Sequence, residues 1–137
     1  MTRAVLDPNV LVAAAIRPEG VPAACVRAFA EGRYELVVSP LLLAELGKVL
    51  RRQKFRAYLT IEDSDRFVEA LARDASVVAD PAEPPPLSRD RGDDYLIALA
   101  RAAGAPVLVS GDDDLLELEL PDLRITSPRA FLELLPP

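Results

Sequence analysis

Histidine is absent from this chain of 137 residues, and Cys25 is its single cysteine. The lack of histidine excludes a zinc–histidine site and acid–base catalysis by imidazole. One cysteine cannot form an intramolecular disulfide, and such a composition is typical of a protein from a reducing cytoplasm. Lysine is scarce too, because Lys48 and Lys54 are the two that occur. Enzyme classes that need a catalytic or metal-binding histidine are therefore excluded.

The chain also lacks the excess of positive charge that is usual in proteins that bind duplex DNA non-specifically. It has 22 acidic and 16 basic residues, and its net charge is −6. A nucleic-acid enzyme is still compatible with this balance, because bound metal ions can supply positive charge locally.

No apolar segment requires a membrane, although 50% of the residues are hydrophobic. Arg3 precedes an apolar stretch, residues 10–16, that resembles a short signal core. Asp7, Pro8 and Asn9 interrupt the resemblance, and no clear cleavage pattern follows. We therefore expect a mature cytoplasmic start and no contact with a membrane.

Short apolar runs alternate with helical patterns along the whole chain. The predicted strands are residues 4–6, 35–38, 76–79 and 107–109, with 123–125 as a candidate edge strand. The predicted helices are residues 9–16, 21–32, 40–52, 60–74, 93–103 and 112–118, with a last helix after Ser127. Residues 80–91 hold four prolines and read as an extended surface connection. This alternation predicts a single α/β domain, residues 1–137, built as a three-layer α/β/α sandwich around a parallel sheet of four to five strands.

Four acidic residues lie where such a fold would gather them into one cleft. Asp7 ends the first apolar run, Glu45 lies within a helix, Asp94 opens a helix, and Asp112 follows the fourth strand. The carboxyl ends of parallel strands and the helix starts that follow them line the functional crevice of open sheets. Carboxylates brought so close repel one another unless a cation or protons neutralise them. The set therefore predicts a divalent-metal site.

Each of these acids also has a plain structural interpretation. Asp7 can cap the next helix, and the first turns at residues 93–94 and 112–114 favour acids through the helix dipole. Glu45 can be a solvated surface residue, although three of its four helical neighbours are apolar. A partly buried Glu45 would imply a cation beside it, because burying it unpaired would cost several kcal/mol.

Five segments of the chain, in order, resemble the PIN-domain ribonucleases, the family that contains the VapC-type toxins of bacterial toxin–antitoxin pairs. They are VLDPNVL (5–11), SPLLLAEL (39–46), DDYLIALA (93–100), LVSGDDDL (108–115) and ITSPRAFL (125–132). The first is similar to the LDTNVL start of that family and the last to its TPREFL end. The resemblance runs nearly from end to end.

The resemblance implies that Asp7, Glu45, Asp94 and Asp112 bind Mg²⁺ or Mn²⁺ and carry catalysis. It implies a further ligand, Asp114, and polar support from Asn9, Asp93 and Ser110, of which Ser110 replaces a common threonine. Hard oxygen donors of this kind favour Mg²⁺ or Mn²⁺ over zinc.

The implied reaction is phosphodiester hydrolysis of single-stranded RNA by a homodimer that an antitoxin peptide covers. Arg89 and Arg91 flank the predicted cleft and are the better candidates for RNA contact. For Arg51 and Arg52, complementing the C-terminus of their own helix is favoured slightly over RNA contact. One departure stands out, since the family usually has threonine or serine where this chain has Pro8.

Three alternatives compete with this interpretation, and the first two fit the sequence less well than the third. A haloacid-dehalogenase-like phosphatase needs a second aspartate where this chain has Asn9, and it needs a late lysine, but none follows Lys54. A phosphoacceptor receiver domain lacks the same lysine. The third alternative is a PIN-fold binding module in which Pro8 has weakened catalysis.

Overall fold

Five parallel strands form one sheet in this computed structural model, which describes residues 1–82 and 91–137, the side chain of Arg91 excepted. The strands are β1 (Arg3–Leu6), β2 (Glu35–Val38), β3 (Ser76–Val77), β4 (Val107–Val109) and β5 (Arg124–Thr126). Their order across the sheet is β3-β2-β1-β4-β5, and every pairing is parallel. The α/β prediction is confirmed, with the candidate edge strand as the fifth member.

Helices connect the strands, as parallel pairing requires. They are α1 (Pro8–Ile16), α2 (Val21–Ala30), α3 (Pro40–Leu50), α4 (Ile61–Asp74), α5 (Arg91–Ala102), α6 (Asp113–Leu116) and α7 (Pro128–Leu134). The chain runs outward from β1 to β3 and then returns to β4 on the other side of β1. Because crossovers between parallel strands are right-handed as a rule, these opposite directions imply that α1–α4 and α5–α6 cover opposite faces of the sheet.

Local sequence signals explain where several helices begin and end. Ser39 caps α3, since its hydroxyl accepts a hydrogen bond of 3.2 Å from the Leu42 N–H, and a proline follows at the first helical position. Thr60 caps α4 and Ser127 caps α7 in the same way. Gly104 ends the turn after α5 with a positive φ of 66°, which favours glycine.

The core is the buried sheet together with the helix stripes that cover it. All of β4 is buried, as is β1 after Arg3, because helices cover both faces. Leu42, Leu46 and Leu50 recur at four-residue intervals and make the buried stripe of α3. In this register Leu6 lies opposite Val109, so β1 and β4 end side by side.

Several element boundaries differ from the prediction. α3 ends at Leu50, and a single 3-10 turn, Gln53–Phe55, follows it. α5 begins at Arg91, two residues before the predicted start, and β3 has only two residues. The part of the predicted 80–91 connection at residues 83–90 lies outside the described residues. Within the described ranges, no helix is both long and apolar enough to cross a membrane.

Candidate functional site

Asp7 and Ser110 meet where β1 and β4 end. The Asp7 N–H continues the strand ladder by donating to the Val109 carbonyl at 2.9 Å. The Asp7 carboxylate is buried, and its Oδ2 accepts a 2.8 Å hydrogen bond from the Ser110 hydroxyl. Its Oδ1 accepts from the Asn9 N–H at 2.9 Å, so Asp7 also caps α1. Neighbouring strands that lead in opposite directions across the sheet form a topological switch point, where ligands bind in open α/β sheets.

Asp112 is tied to the same point through Ser110. The Ser110 Oγ accepts a 3.0 Å hydrogen bond from the Asp112 N–H while it donates to Asp7. Asp112 caps α6, because its Oδ1 accepts from the Asp114 N–H at 2.9 Å. Ser110 is fully buried, whereas Asp112 is half-buried. One hydroxyl thus fixes the spacing between two acids from neighbouring loops.

A pocket of about 480 Å³ opens at this end of the sheet. Four carboxylates, three other polar or small residues and five apolar side chains line it: Asp7, Pro8, Asn9, Leu41, Leu42, Glu45, Val49, Gly92, Asp93, Tyr95, Leu96 and Asp112. A shallower depression of about 740 Å³ lies elsewhere, between Pro106 and the loop at residues 118–125. Its Asp122 is paired with Arg101. The pocket of about 480 Å³, with four carboxylates in its lining, is therefore the better candidate for a functional site.

Glu45 lines the pocket from α3 but is exposed to solvent. The expectation that its partial burial would imply a cation therefore does not apply. Leu41, Glu45 and Val49 recur every four residues and form one stripe of α3, beside the buried stripe that begins at Leu42. Leu41 is 55% exposed, which is unusual for a leucine and leaves it free for contact.

The two adjacent acids of α5 differ in their relation to the pocket. Asp93 and Asp94 are both buried, in the first turn of the helix. Asp93 is among the residues that line the pocket, together with Gly92 and Leu96, whereas Asp94 is not. The 100° rotation between successive helical residues explains why neighbours face different ways. Asp94, which the sequence favours over Asp93 as a ligand, is therefore not among the residues that line the pocket.

Tyr95, which sequence reasoning overlooked, joins three elements at the edge of the pocket. Its hydroxyl is 2.5 Å from the Ser39 Oγ at the start of α3, and it donates to the carboxylate of Asp80. The same carboxylate accepts from the Leu41 N–H at 3.2 and 3.3 Å. Desolvation and the hydrogen bond to Asp80 raise the pKa of Tyr95 to about 12. Of this network, the sequence indicates only Ser39, as the N-cap of α3.

The remaining predicted site residues lie around this centre. Asn9 is exposed and lines the pocket, and Asp114 follows in the first turn of α6 without lining it. Arg91 is the first residue of α5, and Arg89 lies outside the described residues. Arg51 is the C-cap residue of α3, and it also forms a bidentate pair with Asp65 on α4, with distances of 3.2 and 2.8 Å.

The donor set fits a hard divalent cation by its chemistry, since carboxylate oxygens from four elements line one pocket. Over residues 1–82 and 91–137, no three acidic side chains are close enough together to hold one ion as they stand. Coordination through three of them would therefore need some side chains to turn towards the centre of the pocket.

Comparison with protein families decides the classification. Residues 3–114 match the PIN domain family. The chain is a member of that family. Members of the PIN domain family are typically nucleases, and PIN nucleases generally use divalent metals. The prediction of the family is confirmed, and the matched region contains every acid of the predicted site.

The chain is also similar to a curated protein and to solved structures. This chain is 27% identical over 140 residues to the uncharacterized protein MJ1680 of Methanocaldococcus jannaschii. The match covers 96% of this chain and 90% of that protein. Among solved structures this chain is similar to VapBC2 from Rickettsia felis bound to a DNA fragment from their promoter. That match has a TM-score of 0.63 and 15% identity, and it covers 90% of this chain and 97% of the other.

Two further structures share the fold. PAE2754 from Pyrobaculum aerophilum matches with a TM-score of 0.60 and 18% identity, covering 96% of this chain and 88% of that one. The PIN domain of human SMG5 matches with a TM-score of 0.52 and 12% identity, and 96% of each chain is covered. The PIN fold is therefore shared with proteins of low sequence similarity.

Proposed function

We propose that this PIN domain is a metal-dependent ribonuclease that hydrolyses phosphodiester bonds of single-stranded RNA. The observation that carries the proposal is that Asp7, Glu45, Asp93 and Asp112 line one pocket at the switch point of the sheet. A cation bound among carboxylates that line one pocket would offset the repulsion between them.

The proposed ligands are Asp7, Glu45, Asp94 and Asp112. Asp93, the neighbour of Asp94 on α5, would support Asp94. Mg²⁺ or Mn²⁺ bound there would polarise the phosphate and make a bound water a better nucleophile. The protein contributes orientation. Asp7 is held at both oxygens, by the Ser110 hydroxyl and the Asn9 N–H, and this fixes the direction of its carboxylate. Asp114, in the first turn of α6, is proposed as a supporting ligand.

We further propose that the chain is the toxin of a bacterial toxin–antitoxin pair and acts as a homodimer. The similarity of its fold to VapBC2 supports this role. A cognate antitoxin would then cover the pocket, and Arg89 and Arg91 would contact the RNA.

A catalytically weakened binding module is the second candidate, and Pro8 is the observation that favours it. Pro8 opens α1 directly beside Asp7, lines the pocket and carries neither a hydroxyl nor an N–H. A module of this kind would bind RNA or a protein and cleave nothing.

Substrate profiling tests the proposal. The purified chain is incubated in Mn²⁺ with labelled single-stranded RNA, duplex RNA, single-stranded DNA and a small phosphomonoester, with an Asp7→Asn variant as the blank. We expect internal cleavage of single-stranded RNA above the blank, and little else. Hydrolysis of the phosphomonoester alone would instead indicate a phosphatase, and cleavage of none of them would favour the binding module.

A further inference from the structure

One side of the pocket is lined by apolar side chains, which have no role in binding a metal ion. Beside the carboxylates stands an apolar wall that we define as Leu41, Val49 and Tyr95, backed by the buried Leu42 and Leu96. Leu41 and Val49 lie four residues before and after Glu45, or about 6 Å along the helix axis in each direction. That spacing is on the scale of the separation between a phosphate and the base of its own nucleotide.

We propose that the apolar wall is a nucleobase subsite, on which one base next to the scissile phosphate stacks against Tyr95 and packs on Leu41. The inference rests on the proposed ribonuclease function, and it assigns the residues that select and orient the RNA. Proteins recognise single-stranded RNA largely by stacking splayed-out bases on aromatic side chains.

Tyr95 is suited to stacking because its ring is held in place before any ligand binds. Its hydroxyl bonds to Ser39 at the start of α3 and to Asp80 after β3, and the Asp80 carboxylate also receives the Leu41 N–H. Two members of the wall are therefore fixed to one exposed carboxylate. A ring that is already ordered loses less conformational entropy on binding, so more of the stacking energy appears as affinity.

The wall favours a base over other occupants because of what lies next to it. The pocket is continuous from Asp7 and Asp112 to Tyr95, so a ligand at the wall also reaches the carboxylates. A nucleotide has the matching halves, with an apolar, stackable base joined to a phosphate that a cation between the acids can bind. An apolar peptide side chain would fit the wall but would make no use of the acidic half of the pocket.

The test is a binding measurement that combines side-chain and base deletion. Every chain carries Asp7→Asn so that the RNA stays intact, and a labelled short single-stranded RNA is titrated by fluorescence anisotropy in Mn²⁺. Tyr95→Leu should raise Kd roughly 5- to 100-fold, the range found for losing one stacked base. The matched control is Tyr58→Leu, because Tyr58 is 61% exposed and lies outside the pocket lining. We expect no change in its Kd.

Abasic substitution of the RNA then locates the base. At one position, the abasic RNA should bind the Asp7→Asn chain as weakly as intact RNA binds the Tyr95→Leu chain, and combining both changes should add nothing further. Tyr95→Phe keeps the ring and should stay within about threefold of the parent Kd. Leu41→Ala, at an exposed position, should weaken binding several-fold without affecting folding.

Three results would overturn the base subsite. The first is an equal Kd for Tyr95→Leu and Tyr58→Leu. The second is that the affinity lost on removing a base adds to the affinity lost in Tyr95→Leu at every position of the RNA. The third is that Tyr95→Phe loses as much affinity as Tyr95→Leu. A wall that serves a protein partner would give the first result. RNA cleavage by the native chain would still stand in each case, whereas a chain that neither cleaves nor binds RNA would refute both proposals.

Discussion

Pro8 is the residue at which the resemblance of the first segment predicts a departure from the family pattern. Proline at the first helical position fits α1 without strain, because that position needs no N–H and φ is already near the helical value. We expect proline to lower the rate of RNA cleavage, because a threonine at this position would offer a hydroxyl within the pocket, beside Asp7.

Pro8→Thr should therefore raise the rate of RNA cleavage, by roughly 10- to 100-fold if the hydroxyl supports the metal ligands. It should also lower the free energy of unfolding by about 0.4–1 kcal/mol, because the unfolded chain gains freedom. Cleavage assays and thermal melts measure the two effects. The control is Pro22→Thr, since Pro22 is a half-buried proline in the first turn of α2, outside the pocket lining. Equal rates for the two variants would contradict the role assigned to the hydroxyl.

Ser110 joins two of the proposed ligands through one buried hydroxyl. Ser110→Ala removes the hydrogen bond to Asp7 and the acceptor for the Asp112 N–H, so cleavage should fall roughly 10- to 100-fold. Stability should fall by about 1–3 kcal/mol. Ser64→Ala is the matched control, because Ser64 is equally buried but bonds to the Thr60 carbonyl in α4. It should lose stability while it keeps its activity, and a similar loss of activity in both variants would mean that Ser110 acts only through the fold.

Helix α3 places an acid in the pocket without burying it, and this allows a clean test of metal binding at the scale of the element. Mn²⁺ should raise the melting temperature of the native chain, because the ion binds the folded state preferentially. Glu45→Gln should reduce that increase while it leaves the metal-free fold intact, since Glu45 is exposed.

The control for Glu45→Gln is Glu69→Gln, at an exposed position of α4 away from the pocket. The Glu69→Gln chain should show the same increase in melting temperature with Mn²⁺ as the native chain. An undiminished increase in Glu45→Gln would exclude Glu45 as a ligand.

Local signals in the sequence predicted the elements well where a cap or an apolar run defines them. Ser39 followed by proline gave the start of α3, and the run at residues 107–109 gave β4. The start of α5 was placed two residues too late, because Arg91 and Gly92 carry no helix signal of their own. That shift matters for Asp93 and Asp94, since the rotation of a helix decides which of two adjacent acids enters a pocket.

The apolar wall was not predictable for a related reason. Leu41 and Val49 look like core residues in the sequence, and only the packing of α3 turns their stripe towards the pocket. Tyr95 reads as one more apolar residue of α5 until its hydroxyl is seen to bond with Ser39 and Asp80. Contacts between distant segments of the chain depend on tertiary packing, which periodicity does not encode.

At the scale of the whole molecule, two surface ion pairs connect elements that are distant in sequence. Hydrogen bonds from Arg51 lower the pKa of Asp65, and those from Arg101 lower the pKa of Asp122, both below the ordinary value of 3.8. A carboxyl pKa that is lower in the folded state stabilises the fold at pH values above 3.8. The stabilisation is lost as the pH falls from 3.8 through the folded-state pKa.

A double variant, Asp65→Asn with Asp122→Asn, should therefore melt at a lower temperature than the native chain near neutral pH. The difference should shrink as the pH falls below 3.8, where the native carboxyls become protonated too. Thermal melts across the acid range measure it. A difference that persists unchanged at low pH would show that these pairs do not act through charge.

The fold as a whole brings acids from the ends of β1 and β4 together with acids from α3 and α5, and the central claim is that they form one metal-dependent nuclease site. The most direct test is the initial rate of cleavage of a labelled single-stranded RNA as Mn²⁺ is titrated into the native chain and into Asp7→Asn. We predict no cleavage in chelator, a rate that saturates with Mn²⁺ in the native chain, and no metal-dependent rate in Asp7→Asn. Cleavage that survives chelation, or equal rates in the two chains, would contradict the account.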